Sequence, residues 1–143
     1  MIIISGLLLI AVFSLLSILH IYWSVGGKWG FEQSLPQKPD GGFLFRPRKA
    51  ESLIVGLFLL SFSLYYWIKT GLLPILDFPK WIMDFGGVAI AVIFLLRVIG
   101  DFNYVGIFKK VKDTDFAKRD TKYFVPLCLI ISILTATIEW LLD

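Results

Sequence analysis

The sequence holds one cysteine and one histidine in 143 residues, and only 17% of its residues are charged. A lone cysteine, Cys128, cannot close an internal disulfide, and it stands in an apolar run where a thiol serves as a small buried hydrophobe. One histidine, His20, is too few for a metal site by itself, so no metal is expected. The chain also lacks a phosphate-binding loop, a nucleophile elbow and a paired-histidine zinc helix. The glycines of Gly26-Gly27-Lys28-Trp29-Gly30 lack the strand and helix of a nucleotide site and read as a turn leaving the membrane. No cofactor is expected. A soluble domain carries about a quarter charged residues. The shortage here, beside 57% hydrophobic residues, excludes an ordinary soluble domain.

What the sequence has instead is long apolar runs. No charge occurs from Ile2 to Ser24. A secretory signal would need a basic start, a shorter apolar core and a small-residue cleavage site, so this run is expected to be a retained transmembrane helix. Further runs follow from Ser52, from Trp81 and from Tyr123. In the third, Phe85 to Leu96 is too short to cross before Arg97, and a full crossing is reached only when Trp81 to Met83 and Val98 to Phe102 are included. Pro126 falls in the first turn of the last run, where its missing N–H costs little. The expected fold is all-α: one domain, residues 1–143, forming a bundle of four transmembrane helices over about 2–24, 52–69, 81–102 and 123–142.

Between the first two runs, residues 25–50 are dense in glycine and proline and read as a loop. Trp29, Phe31, Phe43 and Phe45 place that loop against the membrane interface or over the bundle. Tyr65, Tyr66 and Trp67 are amphipathic rings suited to head-group depth. The basic residues are lopsided. Lys28, Lys38, Arg46, Arg48 and Lys49 lie in the first loop, and Lys109, Lys110, Lys112, Lys118, Arg119 and Lys122 in the third, against Lys69 and Lys80 opposite. Both basic loops are therefore expected in the cytoplasm and both termini outside. Their position beside apolar spans also turns the net charge of +3 toward anionic lipid rather than nucleic acid. No internal repeat of the inverted-transporter kind is found.

Polar groups inside a span must find protein, water or head-group partners. His20 shares a stripe with Ser17 and Ser24, flanked by Tyr22 and Trp23. It is either a proton carrier or ligand contact, or a histidine satisfied by a neighbouring helix or water. Arg97, Gly100, Asp101 and Tyr104 follow helical spacing, which predicts an Arg97–Asp101 ion pair within one helix. The arginine then either binds an anion or reaches the head groups. Cys128, Ser132, Thr135 and Glu139 form a stripe suited to helix packing, with Glu139 near water or Lys69. Ser52, Gly56, Ser63, Gly87 and Ala91 are small residues at close-packing positions.

Several of these residues lie in three stretches: His20-Ile21-Tyr22-Trp23 with Gly26 to Gly30, the run Arg97-Val98-Ile99-Gly100-Asp101-Phe102-Asn103-Tyr104-Val105-Gly106-Ile107-Phe108-Lys109, and Asp120-Thr121 with Tyr123 and Pro126-Leu127-Cys128. On these stretches the chain resembles a bacterial family of uncharacterised small four-helix membrane proteins, a domain of unknown function. The resemblance implies the four-helix architecture and a bacterial cytoplasmic membrane, and it assigns no activity.

The expectation is a polar pocket at the cytoplasmic end, built from His20, Arg97, Asp101 and Tyr104 with Lys28, Arg46 and Tyr123. It would hold a small anionic or amphipathic ligand or a lipid head group. Two alternatives stay open: a small transporter working as a homodimer, and an intramembrane enzyme acting on a lipid-like substrate with His20 or Asp101 as acid/base.

Overall fold

The computed structural model describes residues 2–74 and 78–142; residues 75–77, within the expected Lys69–Lys80 connection, lie outside that description. The described residues are helical with irregular connections. Helix α1 spans Ile2–Ser24, α2 Lys49–Lys69, α3 Lys80–Ile99, α4 Asp115–Arg119 and α5 Val125–Leu142. A single 3-10 turn, Glu32–Ser34, interrupts the first loop, and a π-helical turn, Asp120–Phe124, joins α4 to α5. Four helical stretches are long and apolar enough to cross a membrane: α1, α2, α3 and the continuous Asp115–Leu142.

The distribution of polarity explains why these helices suit a bilayer. Leu15, Ile18, Phe58, Leu96 and Ile133 face outward, while Ser17, Ser63, Asp120, Thr135 and Glu139 are buried. Water would reverse that arrangement, but lipid accepts apolar side chains and offers polar groups no partner. Helices in lipid are held by close packing and interhelical hydrogen bonds rather than by escape from water. Ser17 Oγ donates to the Gly56 carbonyl at 2.8 Å, Ser63 Oγ to the Ile10 carbonyl at 3.2 Å, and Ser132 Oγ to the Ala91 carbonyl at 2.9 Å. The small residues sit at these contacts. A side chain on Gly56 would press on His20 and Ile21, and one on Gly87 would overlap Glu139.

The close pairs are α1 with α2 and α3 with α5, with α1 also touching α5. Phe13 lies fully buried where the pairs meet, its ring 5.6 Å from both Phe62 and Phe94. The α2–α3 seam is much thinner.

Two local signals shape the ends. Helix α3 stops at Ile99, short of the expected Phe102, because Gly100 takes φ 81°, a left-handed value that glycine reaches without steric cost. At the start of α5, Pro126 has no N–H to donate, and its ring needs room at the carbonyl four residues back. The preceding turn is widened to π geometry, with the Val125 N–H bonded to the Asp120 carbonyl.

Candidate functional site

A cavity lies at the basic end, under the first loop. Helix α1 ends as Gly26 takes φ 98°, and the chain turns back through Lys28 and Trp29. Trp23 Nε1 donates to the Trp29 carbonyl at 2.8 Å, and Trp23 packs edge-on against Phe31 with centroids 5.7 Å apart. The loop is closed further on by a bridge between Gln37 and Phe43, and Leu35 is buried beneath it. Its far side reaches the other helix pair, where the Phe116 N–H donates to Gln37 Oε1 at 3.2 Å. These ties hold open a cavity of about 520 Å³ lined by Trp23, Phe31, Lys28, Arg46 and Lys49, with Glu32 and the backbone at Gly26 and Gly27. Three cations face one carboxylate. Arg46 pairs loosely with Glu32 at 3.4 Å, both well exposed, and also lies 4.5 Å from the Phe43 ring centre.

His20 stands one ring behind this cavity. Its Nδ1 is 2.8 Å from the Leu16 carbonyl, and its ring meets Trp23 edge-on at 4.8 Å between centroids. A ring nitrogen satisfied within its own helix orients the Trp23 wall.

Arg97 does not make the pair expected of it. Its Nη2 donates to Asp120 Oδ1 at 2.7 Å, and Asp120 is fully buried. Oδ2 of the same carboxylate takes Lys109 Nζ at 3.0 Å and the Gly106 N–H at 2.9 Å. Lys109, read as a free loop charge, is in fact 3% exposed and also donates to the Gly106 carbonyl and to Thr121 Oγ1. One carboxylate thus holds two cations and the loop backbone.

Asp101 is outside the helix because the chain has already turned at Gly100. Its Oδ1 accepts the N–H groups of Asn103, Tyr104 and Val105 at 2.9, 2.7 and 2.9 Å. Desolvation is the largest single influence and works against its charge, but the backbone donors together outweigh it and hold its pKa below the usual carboxylate value. Tyr104 is half-buried in that turn, and Tyr123 is exposed with Lys122 over its ring at 5.1 Å. Arg97, Asp101, Tyr104 and Tyr123 are therefore not among the residues lining the cavity, whereas Lys28 and Arg46 are.

At the opposite end Lys69 meets Glu139, as one of the two sequence readings had it, and Tyr65 joins them. The Tyr65 hydroxyl accepts the Gly87 N–H at 3.0 Å and lies 3.3 Å from Glu139 Oε1. Among the described residues, no group of three or more His, Cys, Asp or Glu side chains is placed to hold a metal.

A family model described as "Protein of unknown function (DUF3995)" matches residues 13–135, which take in the cavity, the Asp120 cluster and the core around Phe13. The chain belongs to the DUF3995 family. No curated protein and no solved structure matches it. For this DUF3995 member the residues that sequence reasoning missed are Asp120, Lys109 and Lys49. Asp120 carried a visible signal, a single acid among Lys118, Arg119 and Lys122. Lys49 stood at a helix start, one residue from Arg48, and nothing in the sequence distinguished its role from its neighbour's.

Proposed function

We propose that this DUF3995 protein sits in the bacterial cytoplasmic membrane with both basic loops inside and both termini outside, and that it binds a small anionic amphipath at the first-loop cavity. The observation that carries this reading is the cavity itself, where Lys28, Arg46 and Lys49 surround about 520 Å³ beside the rings of Trp23 and Phe31. Cations beside aromatic faces suit a ligand with a phosphate or carboxylate at one end and an apolar portion at the other. The excess of positive charge disfavours zwitterionic or cationic ligands. Arg46 supplies a planar fork for an anion, and Lys28 and Lys49 supply point charges. The cavity lies between the end of α1 and the start of α2, and the end of a span is the part of a helix expected near head groups, which supports a head-group ligand. An anionic phospholipid head group is therefore the ligand class of choice.

The test is lipid retention. Protein purified in mild detergent after exposure to an equal mixture of phosphatidylglycerol and phosphatidylcholine is examined by native mass spectrometry. The expected result is retained phosphatidylglycerol in the wild type, lost in the R46A/K49A double variant. Equal retention of both lipids, or no difference between the proteins, would overturn the assignment.

A further inference from the structure

The segment between α3 and α4 is a rigid, self-bonded loop that presents three large apolar side chains outward. Asp101 N–H donates to the Val105 carbonyl at 3.3 Å, and Lys110 and Val111 N–H both donate to the Asn103 carbonyl, at 3.1 and 2.9 Å. Gly100 and Gly106, both with positive φ, lie backbone against backbone, and a side chain on either would overlap the other strand of the turn. Asp120 and Lys109 fasten the loop from beneath. Yet Phe102, Ile107 and Phe108 are 56%, 51% and 60% exposed, and the two phenyl rings stack at 6.1 Å. Phe102 also takes φ 64°, the one positive value outside glycine among the described residues. A bulky residue rarely adopts that conformation. Holding a strained phenylalanine outward on an otherwise ordered loop is unfavourable unless something apolar receives it.

The depth of the loop identifies the recipient. Ile107 N–H donates to the Val98 carbonyl at 2.8 Å, so the chain returns alongside the last turn of α3 instead of rising away from it. Leu95 and Leu96, one turn earlier on that helix, are outward-facing and apolar. Ile107 and Phe108 thus stand at nearly the depth of a membrane-facing helix surface. Lys110 and Lys112 follow at once and are exposed, the flanking charges that an anionic head-group layer attracts.

We propose that the loop 100–112 is an interfacial anchor, with Phe102, Ile107 and Phe108 inserted among the lipid head groups and upper acyl chains on the basic side of the membrane. The anchor is separate from the first-loop cavity and does not depend on what that cavity binds. By fixing the end of α3 at one depth, it also sets the depth of Arg97 and Asp120.

The experiment uses the full chain with Cys128→Ser, reconstituted in vesicles of equal phosphatidylglycerol and phosphatidylcholine. Nitroxide labels are placed singly at Phe108→Cys and Ile107→Cys, with Lys118→Cys as the reference. Power-saturation spectroscopy compares collisions with oxygen, which partitions into lipid, against a water-soluble nickel complex. Labels at 107 and 108 should favour oxygen several-fold over nickel, and the label at 118 should show the reverse. Nickel-dominated relaxation at both loop positions would place the loop in water and overturn the proposal. Exclusion of both relaxants would show the patch covered by a second copy of the chain, which would overturn it equally. Phe108 and Ile107 are independent readouts, so failure of one variant to fold leaves the other to decide.

Discussion

Lys69 Nζ lies 2.9 Å from Oε2 of Glu139, across seventy residues of sequence, with both side chains almost wholly withdrawn from the surface. The same ammonium donates to the Met83 carbonyl at 2.6 Å, so the last turn of α2 is pinned to the first turn of α3 and the last turns of α5. This contact matters because α2 and α3 touch so little elsewhere.

Removing one member of that pair strands the other in a poorly solvated site. K69M and E139Q should each cost about 3–5 kcal/mol, the range found for broken buried pairs. The K69M/E139L double variant should cost less than either. Thermal unfolding in one detergent, followed by circular dichroism, checks the order; a double variant worse than both singles would contradict it.

Asp120 pairs with Arg97 through one carboxylate oxygen and with Lys109 through the other. D120N should free the 100–112 loop and speed trypsin cleavage after Lys110 and Lys112 by at least about tenfold, equivalent to ~1.4 kcal/mol of lost protection. D120N/K109M should recover part of that resistance, since no buried ammonium is then left without a carboxylate.

Asp101 gives the same loop a pH dependence. Its folded pKa lies below the unfolded value, so the turn gains stability above the ordinary carboxylate range and loses it as pH falls through the depressed folded value. Amide exchange at Asn103, Tyr104 and Val105 should stay slow at neutral pH and accelerate only in strong acid. In D101N that acid-dependent step should disappear. An unchanged acid profile in D101N would show that another group controls the turn.

Topology has its own test. Cysteines at Lys38 and Lys112, on a Cys128→Ser background, should resist an impermeant thiol reagent added to intact cells. Both should react once the membrane is opened. Labelling of either from outside would invert the proposed orientation.

The four spans were legible because long apolar runs broken by few charges leave few alternatives, and the packing of Ser52, Gly56, Ser63, Gly87 and Ala91 followed from their size. Lys69–Glu139 was legible as one of two options because both charges fell at the same end of the bundle. The partner of Arg97 was not. Spacing of four residues made Asp101 look like the natural mate, but that spacing has meaning only within a helix, and the helix had ended at Gly100. The true partner lies twenty-three residues on, beyond a loop whose folding depends on Gly100 and Gly106 meeting backbone to backbone. Lys109 illustrates the same limit. A lysine in a basic loop reads as a solvated charge, and only the third dimension shows a carboxylate waiting beneath it.

The π turn before α5 has a geometric consequence for the whole helix. Asp120 and Glu139 are nineteen residues apart, and in an unbroken α-helix, at about 100° per residue, they would point in directions about 100° apart. A π turn takes up about one extra residue without advancing the rotation, which leaves about five whole turns between them. The two buried carboxylates then fall in line on a single inward edge, along with Val125, Ser132 and Thr135. Pro126 and its widened turn act as a phase adjuster, letting one continuous rod engage the loop clasp at one end and Lys69 at the other.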